Sequence, residues 1–239
     1  MNPKTTYFQD LDLIEYKKAW DYQEKLFNEN VEKKPKRLKL PFEDKIQTKN
    51  YLLFCEHPHV FTLGKSGSEN NLLVNKEKLI SKGATFFRTN RGGDITYHGP
   101  GQIVGYPIID LEKFSLSVRK YIFKLEQAII ETLKEYGISA GRFEGATGVW
   151  IDSSSPQKVR KICAIGVRSS RWITMHGFAF NVNTDLSFYN YINPCGFTDK
   201  TVTSMEKELG AKQDFNEVKK KLKSKLADQF GFIEPYKNI

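Results

Sequence analysis

Cysteine is scarce in this chain of 239 residues: Cys55, Cys163 and Cys195 are the only three, widely spaced and odd in number. That pattern excludes a disulfide framework and predicts a reducing compartment, the cytoplasm, where a lone thiol can do chemistry. No apolar run approaches the roughly 20 residues a bilayer-crossing helix needs. The first ten residues have neither an apolar core nor a small-residue cleavage site, so no export signal and no membrane association are expected. No C-x-x-C or H-E-x-x-H spacing occurs, and Cys55-Glu56-His57-Pro58-His59 is too tight around its proline for a tetrahedral site, so no metal is expected. Gly64-Lys65-Ser66 lacks the glycine five positions earlier that a nucleotide phosphate loop requires. Acidic residues vanish from Ser153 to Thr184, a stretch that holds Lys158, Arg160, Lys161, Arg168 and Arg171. With a net charge of +9, this stretch reads either as a cationic rim facing an acidic partner or as ordinary solvated surface. Nucleic acid would call for aromatics interleaved with the basic residues. Only Trp172 adjoins this basic run, and no nucleic-acid partner is expected.

What is present describes a folded globular chain. Hydrophobic residues at 39% and aromatics at 13% exclude a disordered one. The length suits a single domain over 1–239, with a C-terminal helical extension from about residue 205. A short strand is expected over 5–11, followed by a helix capped by Asp12 and running to about residue 31. The basic, proline-bearing stretch Lys33–Asn50 reads as an exposed loop. Strands are expected at 51–55, 60–63, 85–88, 102–111, 148–151, 161–167 and 178–182. Val118, Tyr121, Ile122, Leu125, Ile129, Leu133 and Tyr136 follow the helical period over 117–136, and Gly137 ends that helix. A last helix over 214–230 starts at Asp214 and stops before Gly231. The fold class predicted is α/β (mixed α+β), a mixed sheet flanked by helices.

Four segments carry chemistry. Arg91-Gly92-Gly93-Asp94-Ile95-Thr96-Tyr97-His98-Gly99-Pro100-Gly101-Gln102 packs four glycines and a proline among Arg, Thr, Tyr and His. Glycines let main chain approach a ligand and present successive N–H groups to it; a wide hairpin with bulges would use the same residues. Asn193-Pro194-Cys195-Gly196-Phe197 holds a cysteine on a constrained turn, as a nucleophile requires. Its thiol, with an ordinary pKa near 8.5, needs a cation or base beside it. The run K-I-C-A-I-G at 161–166 opens an apolar strand with Lys161. That lysine either points to solvent or, turned inward, serves as a base or a thiolate's partner. Cys163, among aliphatics, reads as core. H-G-F-A-F-N-V-N at 176–183 suits a strand beside an apolar slot, or a core strand.

Together with H-P-H-V-F-T-L-G at 57–64, these four segments, in this order, resemble the octanoyltransferases, the lipoyl(octanoyl) transferase family of lipoate biosynthesis. The resemblance runs from about residue 7 to 205. It implies the fold of lipoate–protein and biotin–protein ligase catalytic domains. It also implies transfer of an octanoyl group from octanoyl-acyl carrier protein to a lysine of lipoyl domains of 2-oxoacid dehydrogenases or of the glycine-cleavage H protein. By position, Cys195 would form the acyl-thioester and Lys161 would be its partner. Arg91, Gly92, Gly93, Asp94, Ile95, Thr96, Tyr97 and His98 would line the acyl pocket, with Ala164, Ile165, Gly166, Gly177, Phe178 and Ala179. No cofactor is implied, since phosphopantetheine arrives as part of the donor, and a monomer is expected. A ligase of the same fold would form an acyl-adenylate and need no thiol, so Cys195 argues against one, as does the missing G-R-G-R-x-G-R run of biotin enzymes.

Overall fold

Eight strands assemble one twisted sheet in the order β1-β2-β6-β10-β9-β8-β7, with β11 paired to β9. They are β1 (Thr6–Leu13), β2 (Asn50–Glu56), β6 (Gln102–Ile108), β7 (Ala140–Phe143), β8 (Ala146–Ile151), β9 (Arg160–Ser170), β10 (Ile173–Asn181) and β11 (Thr201–Val202). The β1–β2 and β9–β11 pairs are parallel and the rest antiparallel, so the sheet is mixed, as expected. A second sheet holds β3 (Val60–Leu63) between β4 (Thr85–Arg88) and β5 (Ile95–His98). The computed structural model describes residues 2–34, 48–155, 157–193 and 201–235.

Helices cover both faces of the large sheet. α1 (Tyr16–Lys33) buries Tyr16, Ala19, Gln23, Leu26, Phe27 and Asn30, a spacing of three and four that makes one inward stripe. That stripe packs with Leu53, Cys55, Val104, Tyr106 and Met175 from the sheet. On the other face lie α3 (Val118–Lys134) and α5 (Phe215–Phe230), whose Leu125, Ile129, Leu222 and Leu226 join Phe54, Ile103, Cys163, Phe178 and Phe180 in the main core. Ser117 and Asp214 cap these two helices, each accepting from main-chain N–H groups of the first turn. The C-terminal helix, expected as an extension, contributes to the central core. Two short α-helices, α2 (Lys76–Ser81) and α4 (Met205–Leu209), and three short 3-10 helices complete the described elements.

Asp12 does not cap α1. It lies inside β1 with φ 50, in the irregular stretch between the Asp10↔Phe54 and Leu13↔Glu56 pairs, and α1 begins only at Tyr16. Pairing with β2 overrides the local capping signal. The Lys33–Asn50 stretch is also not a simple exposed loop. Residues 35–47 lie outside the described residues, but its flanks are buried: Lys34 pairs with Asp110 and Glu112, and Thr48 Oγ1 donates to the same Asp110 at 2.8 Å.

Candidate active site

The small sheet and the Arg91–Asp94 loop stand over β9 and β10, and between them lies a cavity of about 560 Å³, within the range of small-molecule sites. Small residues make room for it. Ala164 pairs with Ala179 and Gly166 with Gly177 across the β9–β10 ladder. A Cβ on Gly166 would stand 2.8 Å from the Gly92 carbonyl oxygen, so only glycine lets the loop settle this close. Ile165 and Phe178 also border the cavity, although their side chains belong to the main core.

Arg91 is buried and staples its own loop. Nη2 donates to the Thr62 carbonyl (2.6 Å), Thr62 Oγ1 (3.0 Å) and the Asp94 carbonyl (2.8 Å), and Nη1 donates to the Gly92 carbonyl (3.1 Å). The Gly92 N–H reaches Val167 O on β9 at 2.9 Å. Asp94 accepts from Ile95 N–H at 2.7 Å and from Asn71 Nδ2 at 2.6 Å. Thr96 and His98 border the cavity from β5. Tyr97, predicted among the lining residues, does not. Strand alternation turns it to the opposite face, where its ring stacks on Phe188 (4.9 Å between centroids) and its hydroxyl meets His59 Nδ1 at 2.7 Å. The glycine-rich run is thus a cavity-facing loop at 91–94 followed by a regular strand at 95–98, and since β5 pairs with β3 and not with β6 it is not the wide hairpin.

Lys161 points inward, and a β-bulge sends it there. Val149 of β8 pairs with Cys163 and Trp150 with Lys161, so Ile162 is an extra residue on β9. Counting back from the cavity-facing Gly166 and Ala164, alternation would put residue 162 in the cavity and residue 161 in the core. The bulge shifts the phase by one. Ile162 and Cys163 both enter the core, and Lys161, only 9% exposed, borders the cavity with Nζ 4.4 Å from the Trp150 ring centroid. Where β10 leaves off, β11 takes its place beside this lysine: Val202 pairs with Lys161 and itself borders the cavity.

Cys195 lies outside the described residues, with the rest of 194–200. On one side the described chain connects through Asn71 to the cavity-lining Asp94, and on the other it reaches the cavity at Val202. Asn193 N–H donates to Asn71 O at 2.8 Å, Asn71 holds Asp94, and the chain resumes at Thr201 alongside Arg160. The two other cysteines are buried, and burial pushes both thiols up, away from nucleophilic use.

Sequence reasoning missed the cavity's other wall. Tyr16, Val104, Tyr106, His176 and Asn181 border it. Tyr16 gives no signal beyond an ordinary helix face, whereas His176 sat in a motif already singled out. His176 has φ 57, its N–H donates to Gln23 Oε1 (3.1 Å), and its Nε2 meets Asn90 Oδ1 (2.7 Å). Burial lowers His98 and His176 to about 3 and His57 to about 4, so these imidazoles are uncharged at neutral pH. Of the basic residues at 158–171, Lys158 is exposed and Arg168 half-buried near Glu24, while the other three are engaged within the fold. Arg160 is bound by Asp152 and Glu208, Arg171 donates to the Val31 and Lys34 carbonyls at the end of α1, and Lys161 is internal.

A model of the lipoyl protein ligase A/B catalytic domain matches residues 15–227. The chain belongs to this family. Within it, the chain is 52% identical over 227 residues to an octanoyltransferase of Cytophaga hutchinsonii, covering 95% of this chain and 93% of that one. It is 54% identical to an octanoyltransferase of Flavobacterium johnsoniae, with 96% and 98% covered. Among solved structures, a bipartite lipoate protein ligase of Thermoplasma acidophilum superposes with a TM-score of 0.68 at 14% identity, covering 98% of this chain and 87% of that one. A lipoate-protein ligase A bound with ATP gives 0.67, also at 14% identity, with 98% and 88% covered. The fold is thus that of lipoyl protein ligases.

Proposed function

We propose that this chain is an octanoyltransferase of protein lipoylation, working in the cytoplasm as a single catalytic domain and a monomer, without cofactor or metal. The fold is shared with ligases. What favours transfer is the high identity to proteins named octanoyltransferases, over nearly the whole of both chains. The observation that carries the reading is Lys161 turned by the β9 bulge into a cavity bordered by small residues, at the point where the Cys195 segment rejoins the sheet.

In the first step the Cys195 thiolate attacks the octanoyl thioester of the donor's phosphopantetheine arm. A carbon–sulfur bond forms, the donor's breaks, and the departing sulfur takes the proton of the Lys161 ammonium, so the free arm leaves as a thiol and Lys161 is left neutral. The Lys161 ammonium beside the sulfur favours the thiolate. In the second step a lysine amine of a lipoyl domain or glycine-cleavage H protein attacks the acyl-enzyme. Lys161, now neutral, takes the amine's proton, and the Cys195 thiolate departs. A thioester gives way to an amide, which runs downhill without ATP.

The deciding experiment is intact mass spectrometry after incubation with octanoyl-acyl carrier protein. One octanoyl adduct, released by hydroxylamine and mapped to Cys195, is expected. Cys195→Ala should take no adduct and transfer nothing, and Lys161→Ala should nearly abolish transfer. Full activity of Cys195→Ala would overturn the mechanism.

A further inference from the structure

We propose that Glu126 is a positioning residue for acyl transfer: its carboxylate fixes the Gly148 amide and, through β8, the bulge that turns Lys161 into the cavity. The inference rests on the role of Lys161 proposed above.

Glu126 sits mid-way along α3 and is 7% exposed. A buried carboxylate costs stability unless its oxygens are bonded, and both are. Oε2 accepts from Arg142 Nε at 2.8 Å, and Oε1 accepts from the Gly148 N–H at 3.0 Å. Arg142 is itself fixed, donating to Phe123 O (2.9 Å) and Gln127 Oε1 (3.0 Å). Helix α3 therefore grips one main-chain amide of β8.

That amide lies where the bulge is made. Gly148 has φ 125, and a Cβ there would come within 2.5 Å of Cys163 O and 3.5 Å of Lys161 Cε. The lysine's methylene stem thus runs beside the Gly148 main chain, while its ammonium lies over Trp150, two residues on. Trp150 is anchored in turn by its Nε1–H to Ala146 O at 3.1 Å. Both of these contacts to Lys161 come from β8. Stability alone does not call for a carboxylate here, because a well-packed apolar pair often matches a buried ion pair. The asymmetric use of the two oxygens, one on an arginine and one on the strand beside the lysine, points to placement.

The test is steady-state octanoyl transfer from acyl carrier protein to a lipoyl domain. Glu126→Gln keeps an acceptor for the Gly148 N–H and should hold kcat within about threefold, whereas Glu126→Met, of similar length, should lose about tenfold or more in kcat with KM unchanged. Gly148→Ala, which leaves Glu126 in place but forces β8 off Cys163, should reproduce the kcat loss. A folded Glu126→Met with parental kcat overturns the proposal, as does a folded Glu126→Gln that loses as much as Glu126→Met. Should Glu126→Met fail to fold, parental kcat in Gly148→Ala overturns it instead. Lys161→Ala in the same assay separates the two levels. If that variant still transfers, the reading of Lys161 falls; if it is dead while Glu126→Met is active, only the role of Glu126 falls.

Discussion

A lysine and an arginine both carry positive charge, but only one can lend and retrieve a proton at usable pH. That difference divides the proposed reaction at Lys161. An arginine over Trp150 would still stabilise a thiolate, because guanidinium stacks well on an indole face. It could not take the proton of the incoming amine. Lys161→Arg should therefore still load Cys195 with octanoyl, the departing thiolate taking its proton from water, yet stall before release, so that acyl-enzyme accumulates. Quenched-flow mass spectrometry resolves the two half-reactions. Equal slowing of both would show that the side chain does not divide its work in this way. At this scale much was legible: Lys161, Arg91, Gly92, Gly166 and Ala179 all meet at one cavity. Tyr97 was misplaced because a motif run carries no mark of where a loop becomes a strand. The roles of Tyr16 and Tyr106 were invisible because ordinary helix and strand positions supply them.

Among the elements, the ones read correctly are the ones whose packing agrees with their local pattern. α3 and α5 lie as their 3.6-residue periods predict, between Ser117 and Lys134 and between Asp214 and Gly231. Short pieces escaped: β7, α2 and α4 have too few residues for a period to stand out. The β9 bulge could not be read at all, since an extra residue inside the apolar run K-I-C-A-I-G leaves no break in alternation. The 33–50 stretch failed for another reason: its basic, proline-bearing composition hid a buried anchor. Lys34 and Thr48 converge on Asp110, so one carboxylate holds both flanks of the intervening chain. Removing one member of a buried pair strands the other, and Asp110→Ala should cost about 3–5 kcal/mol of stability. Lys34→Met combined with Asp110→Ala should cost less than the sum of the two single changes. Urea denaturation of the three variants supplies the cycle, and strict additivity would deny the coupling.

For the whole molecule, three buried imidazoles set the response to acid. Burial is the main cause of the low values of His57, His98 and His176, about 4, 3 and 3 against 6.5 for the free group. A depressed value means that the unfolded chain binds protons the folded chain refuses. Stability is then full above pH 6.5 and is lost as pH falls towards 4, by roughly 3–4 kcal/mol between pH 6 and 5 if all three act independently. His59, half-buried and also lowered, adds in the same direction. Glu208, held low by Arg160, acts the same way but at lower pH, below its usual 4.5. Urea midpoints at pH 7 and pH 5 check this, and equal midpoints would refute it. One of these rings also helps join the two sheets: His98 Nδ1 meets Gln102 Oε1 (2.9 Å), Gln102 Nε2 donates to Asn181 Oδ1 (2.8 Å), and Asn181 Nδ2 donates to Thr203 O (3.0 Å). None of that chain of bonds was foreseeable without the fold. A different lesson comes from Ile162. Since one surplus residue decides which way the lysine faces, straightening the bulge with Ile162 still present would swing the amine into hydrocarbon with every reactive group still spelled out in the chain. A descendant silenced by such a straightening would keep all its chemical letters and the count between them, and only the path of its backbone would betray it.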